Sequence, residues 1–236
     1  MLQVPLLRAA LESLARGRRF KRSLPNGIRF YVSPDSQLKY MRKRFDTDLI
    51  ELAERYVAED SVVWDIGANC GVFAFSSAAA KQIVAVEADP FLCSLIQDSV
   101  RLNGVQVVLV SAAAFSENVL AEFSIARRGR ASNHLSGFEG STQTGGERSR
   151  MLVPTITLDG LLDATLAPTL VKIDVEGAEI EVLRGAERVL NEIRPILYLE
   201  IVDATRAECQ RILGAAGYDM VQGAEMNWTC LPRARG

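Results

Sequence analysis

From residue 61 onwards, short apolar runs alternate with stretches of helical periodicity, and this alternation restricts the possible fold more than any other feature of the chain. The apolar runs, which we predict to be strands, cover 61–66, 82–87, 106–110, 170–174 and 196–202. The amphipathic stretches, which we predict to be helices, cover 71–80, 90–103 and 177–193. Continuously apolar strands separated by helices are typical of a mainly parallel sheet with helices on both faces. The sequence therefore predicts an α/β fold.

One long polar segment interrupts this pattern. The apolar runs 120–125 and 151–158 are predicted to form an extra antiparallel pair of strands. Between them, residues 127–150 are rich in Gly, Ser, Thr and Arg and offer little to bury. Loops of this length in compact domains are often functional. We therefore predict that 127–150 is a mobile lid.

The segment before the alternating pattern is predicted to be a separate extension. Residues 2–14 carry leucine and alanine at helical spacing, and a Pro-Asn-Gly turn at 25–27 predicts a hairpin. We therefore divide the chain into a helical and hairpin extension over 1–58 and a main domain over 59–236. The helix is expected to pack on its own domain, and the alternative is a helix that binds a membrane surface or a partner.

The composition favours a protein of the cytoplasm. Arg8 and Glu12 interrupt the apolar run that a signal peptide needs, and no apolar run approaches the roughly 18 residues of a transmembrane segment. The net charge of −2 gives no general reason to expect a nucleic-acid partner, although residues 1–50 carry 11 Lys and Arg against 4 Asp and Glu. The cysteines are widely spaced, form no CxxC pair and are expected to stay reduced: Cys70, Cys93, Cys209 and Cys230.

The turn after the first predicted strand of the main domain is typical of a ligand site. Asp65 ends the apolar run, and Gly67, Asn69 and Gly71 follow it in a GxNxG pattern. Glycines let the backbone approach a ligand closely, and parallel sheets bind ligands at this edge. The spacing differs from the GxGxxG of dinucleotide-binding turns. Asp65 would repel a phosphate but suits a ligand with an ammonium group; the alternative is a helix N-cap.

A second acid follows at the end of the next predicted strand. Glu87 lies 22 residues after Asp65, where a carboxylate can accept hydrogen bonds from both ribose hydroxyls of a nucleoside. The alternative is a solvated strand end. An ammonium site beside a ribose site predicts S-adenosyl-L-methionine (AdoMet) as the cofactor. Ala68 in the turn, Ala88 after Glu87 and Ser111 after the following strand are predicted to complete the site.

In these residues and in the segments given below, the sequence closely resembles the FkbM family of AdoMet-dependent methyltransferases. The resemblance implies a Rossmann-like class I methyltransferase fold over 59–236, with a mainly parallel seven-stranded sheet whose last strand is reversed. It also implies O-methylation, usually of a hydroxyl on a sugar or another small-molecule natural product. The matching segments are DIGANCGVF at 65–73, VEADP at 86–90, TLDGLL at 157–162, KIDVEGAEIEVLRGA at 172–186 and RPILYLEI at 194–201.

A hydroxyl acceptor is a poor nucleophile and profits from a general base, for which the chain offers three candidates. His134 is the only histidine and lies in the predicted lid, with a solvated surface residue as the alternative. Asp174 and Glu176 lie where a predicted strand ends, in the crevice that Asp65 faces. Glu176 could instead stabilise the following helix, or the two acids could hold Mg²⁺. Nothing else in the sequence requires a metal, so none is expected.

Two charges inside apolar strands are also unusual. Lys172 and Glu200 are expected to pair structurally, because an isolated buried charge is very costly. The alternative is a role in proton relay or substrate contact.

Three other functions fit the sequence less well. A nucleic-acid methyltransferase would use the basic residues at 16–22 and 42–44, but the chain lacks an Asn-Pro-Pro-Tyr motif for amine methylation. A non-catalytic AdoMet-binding module is disfavoured by the intact turn and acids, and an NAD-dependent oxidoreductase by the spacing of the turn. The sequence leaves the oligomeric state open, a homo-oligomer included.

Overall fold

A computed structural model of the chain describes residues 16–127, 129–138 and 146–234. The first described elements are the antiparallel strands β1 (Phe20–Ser23) and β2 (Arg29–Val32), which confirm the predicted hairpin. A 3₁₀ turn (Leu38–Met41) and helix α1 (Thr47–Tyr56) follow. The helix predicted within 2–14 lies outside the described residues.

A seven-stranded sheet forms the centre of the molecule. Its strands are β3 (Val62–Ile66), β4 (Gln82–Glu87), β5 (Val108–Ser111), β10 (Leu170–Ile173), β11 (Ile196–Glu200), β12 (Tyr218–Gln222) and β13 (Asn227–Pro232). Across the sheet the order is β12, β13, β11, β10, β3, β4 and β5. The strands from β11 to β5 are parallel, and β13 runs antiparallel to both of its neighbours. The predicted mainly parallel sheet with a reversed last strand is confirmed.

A smaller sheet follows β5 in the chain. Its strands are β6 (Ala113–Ala114), β7 (Leu120–Ala126), β8 (His134–Leu135) and β9 (Glu147–Ile156). Strands β7 and β9 form the predicted antiparallel pair. A 3₁₀ turn (Arg130–Ser132), β8 and the start of β9 fall within 127–150, so this segment is not loop throughout. Its residues 128 and 139–145 lie outside the described residues, and its role as a lid stays a prediction.

In the part of the chain that the structure describes, five helices cover the main sheet, and three of them lie where helices were predicted, with two differences in extent; those at 158–164 and 206–215 were not predicted. They are α2 (Val72–Ser76), α3 (Pro90–Asn103), α4 (Leu158–Ala164), α5 (Glu179–Arg184) and α6 (Arg206–Ala215). Helix α2 ends before residue 80, and the Ser77 hydroxyl donates back to the carbonyl of Phe73. The helix predicted over 177–193 is interrupted at Gly185, whose carbonyl accepts from the Asp159 amide, and a π-type turn (Val189–Ile193) follows.

Both faces of the sheet are buried at its centre. All five residues of β3 are buried, with Trp64 and Ile66 in one apolar cluster and Val63 in another. The extension contributes to the core, because the ring of Phe30 on β2 packs 6.0 Å from that of Phe75 on α2. The hairpin is therefore held against the main sheet, and this contact positions the residues that follow it.

The four cysteines are buried and none forms a disulfide. Within the described parts of the chain, no helix combines the length and the apolar character needed to cross a bilayer.

Candidate active site

A cavity of ≈ 310 Å³ opens at the edge of the main sheet where β3, β4 and β10 end. It is lined by the turn after β3, the end of β4, the residues after β5 and the end of β10. Residues of the extension and of 129–138 complete its wall. The carboxyl ends of parallel strands are where sheets of this type bind ligands. The cavity is therefore the candidate site.

The turn between β3 and α2 requires glycine at two positions. Gly67 and Gly71 have φ angles of 73° and 84°, in the left-handed region that favours glycine. A Cβ on Gly67 would lie 1.8 Å from the carbonyl oxygen of Asp174, so the turn passes very close to the end of β10. The amides of Gly67 and Ala68 donate to the carbonyl of Val86 at 2.9 and 3.0 Å. The turn is thus fixed to β4 and placed against β10.

A buried ion pair lies beneath this turn. The Lys172 ammonium lies 3.2 Å from a carboxylate oxygen of Asp65 and donates to the carbonyl of Gly67 at 2.7 Å. Asp65 also accepts from the amide of Ala74 at 3.0 Å. Burial raises the pKa of Asp65, and the Lys172 ammonium opposes that rise. The register of β3 and β10 places Lys172 opposite Asp65, which corrects the expected Lys172–Glu200 ion pair.

Glu87 ends β4 with its carboxylate held by two backbone amides. Asn69 donates to one oxygen and Asp89 to the other, each at 2.8 Å. Burial raises the pKa of Glu87 to about 7, although both amides oppose this. These two amides fix the orientation of the carboxylate. Each carboxylate oxygen retains a further lone pair, so the group can still accept a hydrogen bond from a ligand.

Most of the predicted cofactor contacts come together at the cavity. Those that line it are Asp65, Gly67, Ala68, Asn69, Glu87 and Ala88. Gly71 does not line it, and a Cβ there would lie 2.9 Å from the ring of Phe75. The Ser111 hydroxyl instead lies 3.4 Å from the sulfur of Cys93, and the alanines at 112–114 line the cavity in its place.

Two of the three predicted catalytic residues also reach the cavity. Asp174 and Glu176 line it, whereas His134 does not. On either side of His134, Asn133 and Leu135 line the cavity, and successive residues of a strand point to opposite faces. The structure therefore does not bring His134 together with the two acids. Among the described residues, no cluster of three or more His, Cys, Asp or Glu side chains is placed to hold a metal ion.

Several cavity residues were not predicted as site residues. They are Gln37, Lys39, Tyr40, Asp46, Glu200 and Glu225. Of these, Glu200 could have been recognised from the sequence, because a charge within an apolar strand is unusual. It was interpreted as half of an ion pair instead. The others lie in segments without a motif and reach the cavity through the tertiary fold.

A network of buried charges joins the extension to residues 129–138. Arg130 donates to Asp35 at 2.8 Å and to Asp89 at 2.5 Å. Arg148 donates to the other oxygen of Asp35 at 2.6 Å, and Asn133 donates to Asp89 at 2.7 Å. Burial raises the pKa of Asp35, but the hydrogen bonds from Arg148 and Arg130 outweigh it, so the pKa is lowered. This network fixes two walls of the cavity relative to each other.

We expect Arg130→Met to loosen residues 129–138. The change breaks both bridges, while Asp35 keeps Arg148 and Asp89 keeps Asn133, so the cost should be about 1.5–3 kcal/mol of unfolding free energy. Urea unfolding measures this cost, and hydrogen exchange should show faster exchange within 129–138.

Arg150→Met is the matched control for Arg130→Met. Its side chain is 51% exposed and pairs with Glu122 and Glu147 on the protein surface. Exposed pairs of this kind contribute roughly 0–1 kcal/mol. Equal losses in the two variants would contradict a specific role for the buried network.

Comparisons with known proteins identify methyltransferases among the similar proteins. The model of the family described as methyltransferase FkbM domain matches residues 65–220. The chain is 30% identical over 175 residues to the hexuronic acid methyltransferase AglP of Haloferax volcanii, which covers 72% of this chain and 68% of that protein. A 52-residue stretch is 40% identical to the uncharacterized protein MJ1452 of Methanocaldococcus jannaschii, covering 22% of this chain and 20% of that protein.

A solved structure shares the fold. The crystal structure of methyltransferase FkbM from Methylobacillus flagellatus matches with a TM-score of 0.53 at 15% identity. The match covers 84% of this chain and 58% of that one, so this chain spans less than two thirds of that protein. At this identity, the likeness concerns the class I methyltransferase fold alone.

Proposed function

Because the chain belongs to the FkbM family of methyltransferases, we propose that it transfers the methyl group of AdoMet to a hydroxyl group of a sugar or another small-molecule natural product. AdoMet use is general for this family. The observation that carries the proposal is the pairing of the β3–α2 turn with the fixed carboxylate of Glu87 in one cavity. We also propose that the protein acts in the cytoplasm, as its reduced thiols suggest.

The cavity residues fit AdoMet. The oriented carboxylate of Glu87 suits a ribose diol, and the absence of a side chain at Gly67 leaves room for close backbone approach. Ala88 and the alanines at 112–114 leave an uncharged, small-residue surface for the adenine. Asp65 lines the cavity, but its carboxylate is engaged by Lys172 and Ala74, so we assign it chiefly to positioning the turn.

The remaining residues suit the acceptor. AdoMet supplies an electrophilic methyl carbon, and the protein must align the nucleophile and exclude water. Extension residues 37–46 and the segment 129–138 form the rest of the wall, with Lys39 and Arg130 as cationic groups there. The relative named as a hexuronic acid methyltransferase supports a sugar acceptor for this chain.

We expect Glu87→Gln to weaken binding of both AdoMet and S-adenosylhomocysteine (SAH). The amide nitrogen would face the N–H of Asn69 or Asp89, and the charged acceptor for the ribose would be lost. Hydrogen bonds to charged groups contribute about 1.5–3 kcal/mol, which corresponds to roughly a 10- to 150-fold loss of affinity. Isothermal titration calorimetry measures it. Glu59→Gln, at an exposed loop position, should bind normally; unchanged affinity in Glu87→Gln would refute the ribose assignment.

The proposed reaction is tested with methyl-tritiated AdoMet and a polar metabolite extract supplemented with hexoses and hexuronic acids. Label in a base-stable methyl ether of a small molecule supports transfer to a hydroxyl. Base-labile label would indicate methylation of a carboxylate, and label in added RNA would support the nucleic-acid alternative. Binding of AdoMet without any transfer would favour a non-catalytic module.

A further inference from the structure

Two carboxylates meet where β10 and β11 end beside the cavity. Glu200 is the last residue of β11, Asp174 follows β10 directly, and the two strands are parallel neighbours. Both side chains line the cavity, and because Ile173 is paired with Leu199 in the register of the two strands, Asp174 and Glu200 leave the sheet side by side. Glu200 is half-buried, whereas the side chain of Asp174 is 34% exposed. One acid thus faces the interior and the other reaches solvent.

The ammonium group of Lys172 lies among several carboxyl groups and cannot stabilise the ionised form of all of them. The Lys172 ammonium lies 3.2 Å from Asp65 and 3.5 Å from Asp174, so it already faces two carboxylates before Glu200 is counted. Burial raises the pKa of Glu200 to about 7, Asp174 adds to the rise, and Lys172 opposes it. The buried carboxyl of Glu179 on α5 raises it further. This corner of the cavity therefore favours a bound proton near neutral pH.

We propose that Glu200 and Asp174 act as one carboxyl pair, which in its ionised form accepts the proton that the acceptor hydroxyl loses during methyl transfer and then shares that proton. This inference rests on the proposed function and assigns the base within it.

The reaction starts from the ionised pair. The acceptor oxygen forms a bond to the methyl carbon, the electrons of the carbon–sulfur bond stay with the sulfur, and the hydroxyl proton passes to Glu200. Sharing with the more exposed Asp174 then allows the proton to leave to water. The other charged groups that line the cavity are Lys39, Asp46, Asp65, Glu87, Arg130, Lys172, Glu176 and Glu225.

The pair can be detected without knowing the acceptor. AdoMet carries a fixed sulfonium charge and SAH does not, so only AdoMet should favour the ionised pair. If AdoMet lowers the pKa of Glu200 from about 7 by one unit, AdoMet should bind roughly fivefold more tightly relative to SAH as the pH rises from 6 to 8. Glu87 also titrates near this range, but both ligands carry the ribose, so its effect largely cancels in the ratio of affinities.

The experiment measures the affinity of the whole protein for AdoMet and for SAH between pH 6 and 8 by calorimetry. In Glu200→Gln the ratio should be independent of pH, and Asp174→Asn should remove the dependence as well. Glu192→Gln, at an exposed position of the π-type turn, should keep the native dependence. SAH binding and thermal unfolding confirm that each variant is folded. A flat ratio in the native protein, or a native ratio in Glu200→Gln, would overturn the pair.

The role of Glu200 in catalysis is tested by the rate of label transfer in the tritium assay at pH 8. At saturating AdoMet, Glu200→Gln should transfer label about 100-fold more slowly than the native protein, as expected for loss of a general base, while its affinity for AdoMet falls by about tenfold at most. Transfer at the native rate would overturn the role of Glu200 and leave the proposed function intact. Failure of the native protein to bind AdoMet or to transfer label would overturn the proposed function itself.

Discussion

Gly67→Ala should abolish AdoMet binding. The added Cβ would overlap the carbonyl oxygen of Asp174 at 1.8 Å, and the φ of 73° is unfavourable for alanine. The left-handed backbone costs about 1–2 kcal/mol, and overpacking of a rigid contact typically adds about 1–3. Because the turn must move away from β10, we expect at least a roughly 100-fold loss of affinity, which corresponds to about 2.8 kcal/mol.

Gly104→Ala separates the two contributions of Gly67→Ala. Gly104 has a φ of 70°, but an added Cβ meets nothing within 4 Å. It should therefore lose only the roughly 1–2 kcal/mol of backbone strain and bind AdoMet normally. Calorimetry and urea unfolding measure both quantities. If Gly67→Ala bound AdoMet as tightly as Gly104→Ala does, the close approach of the turn to β10 would have no functional role.

Lys172→Met should cause a large loss of stability. Asp65 is fully buried, and removal of its ammonium partner leaves a buried carboxylate whose one described hydrogen bond comes from Ala74. Breaking such a pair typically costs about 3–5 kcal/mol. The turn would also lose the hydrogen bond from Lys172 to the Gly67 carbonyl, so AdoMet binding should weaken too.

The pH dependence and a double variant test this explanation. Without Lys172, the folded-state pKa of Asp65 should rise further, so the deficit relative to the native protein should be largest at pH 8 and shrink towards pH 5 as Asp65 takes up a proton. Adding Asp65→Asn removes the unpaired charge and should restore part of the lost stability. A deficit that is equal at both pH values and unchanged in the double variant would show that packing, not charge, explains the loss.

The fold was largely predictable because its strong local signals agree with the tertiary structure. Strand Gln82–Glu87 and helix Pro90–Asn103 match the predicted bounds. The helix begins with Asp89 as a cap on the amide of Phe91 and ends at Gly104 in the left-handed region. The break at Gly185 was not predictable from local sequence, and its tertiary contacts are distant in the chain: the carbonyl of Phe115, 70 residues away, lies 2.4 Å from where a Cβ would be.

The site was predictable where a motif meets a strand end. Asp65, Gly67 and Glu87 were found in this way, because the carboxyl ends of parallel strands converge at one edge. Neither the partner of Lys172 nor the position of Glu200 beside Asp174 follows from spacing, since both depend on the register of neighbouring strands. His134 was chosen for its intrinsic pKa, but its place on β8 turns it away from the cavity.

The charge network through Asp35 has a consequence for protein engineering. Its cations come from Arg130 and Arg148, which lie some hundred residues further along the chain. A chimaera that receives only the extension of a relative, or only its 129–150 segment, would therefore combine acids and guanidinium groups that were not selected together. To give this chain the acceptor preference of a relative, both segments should be exchanged together.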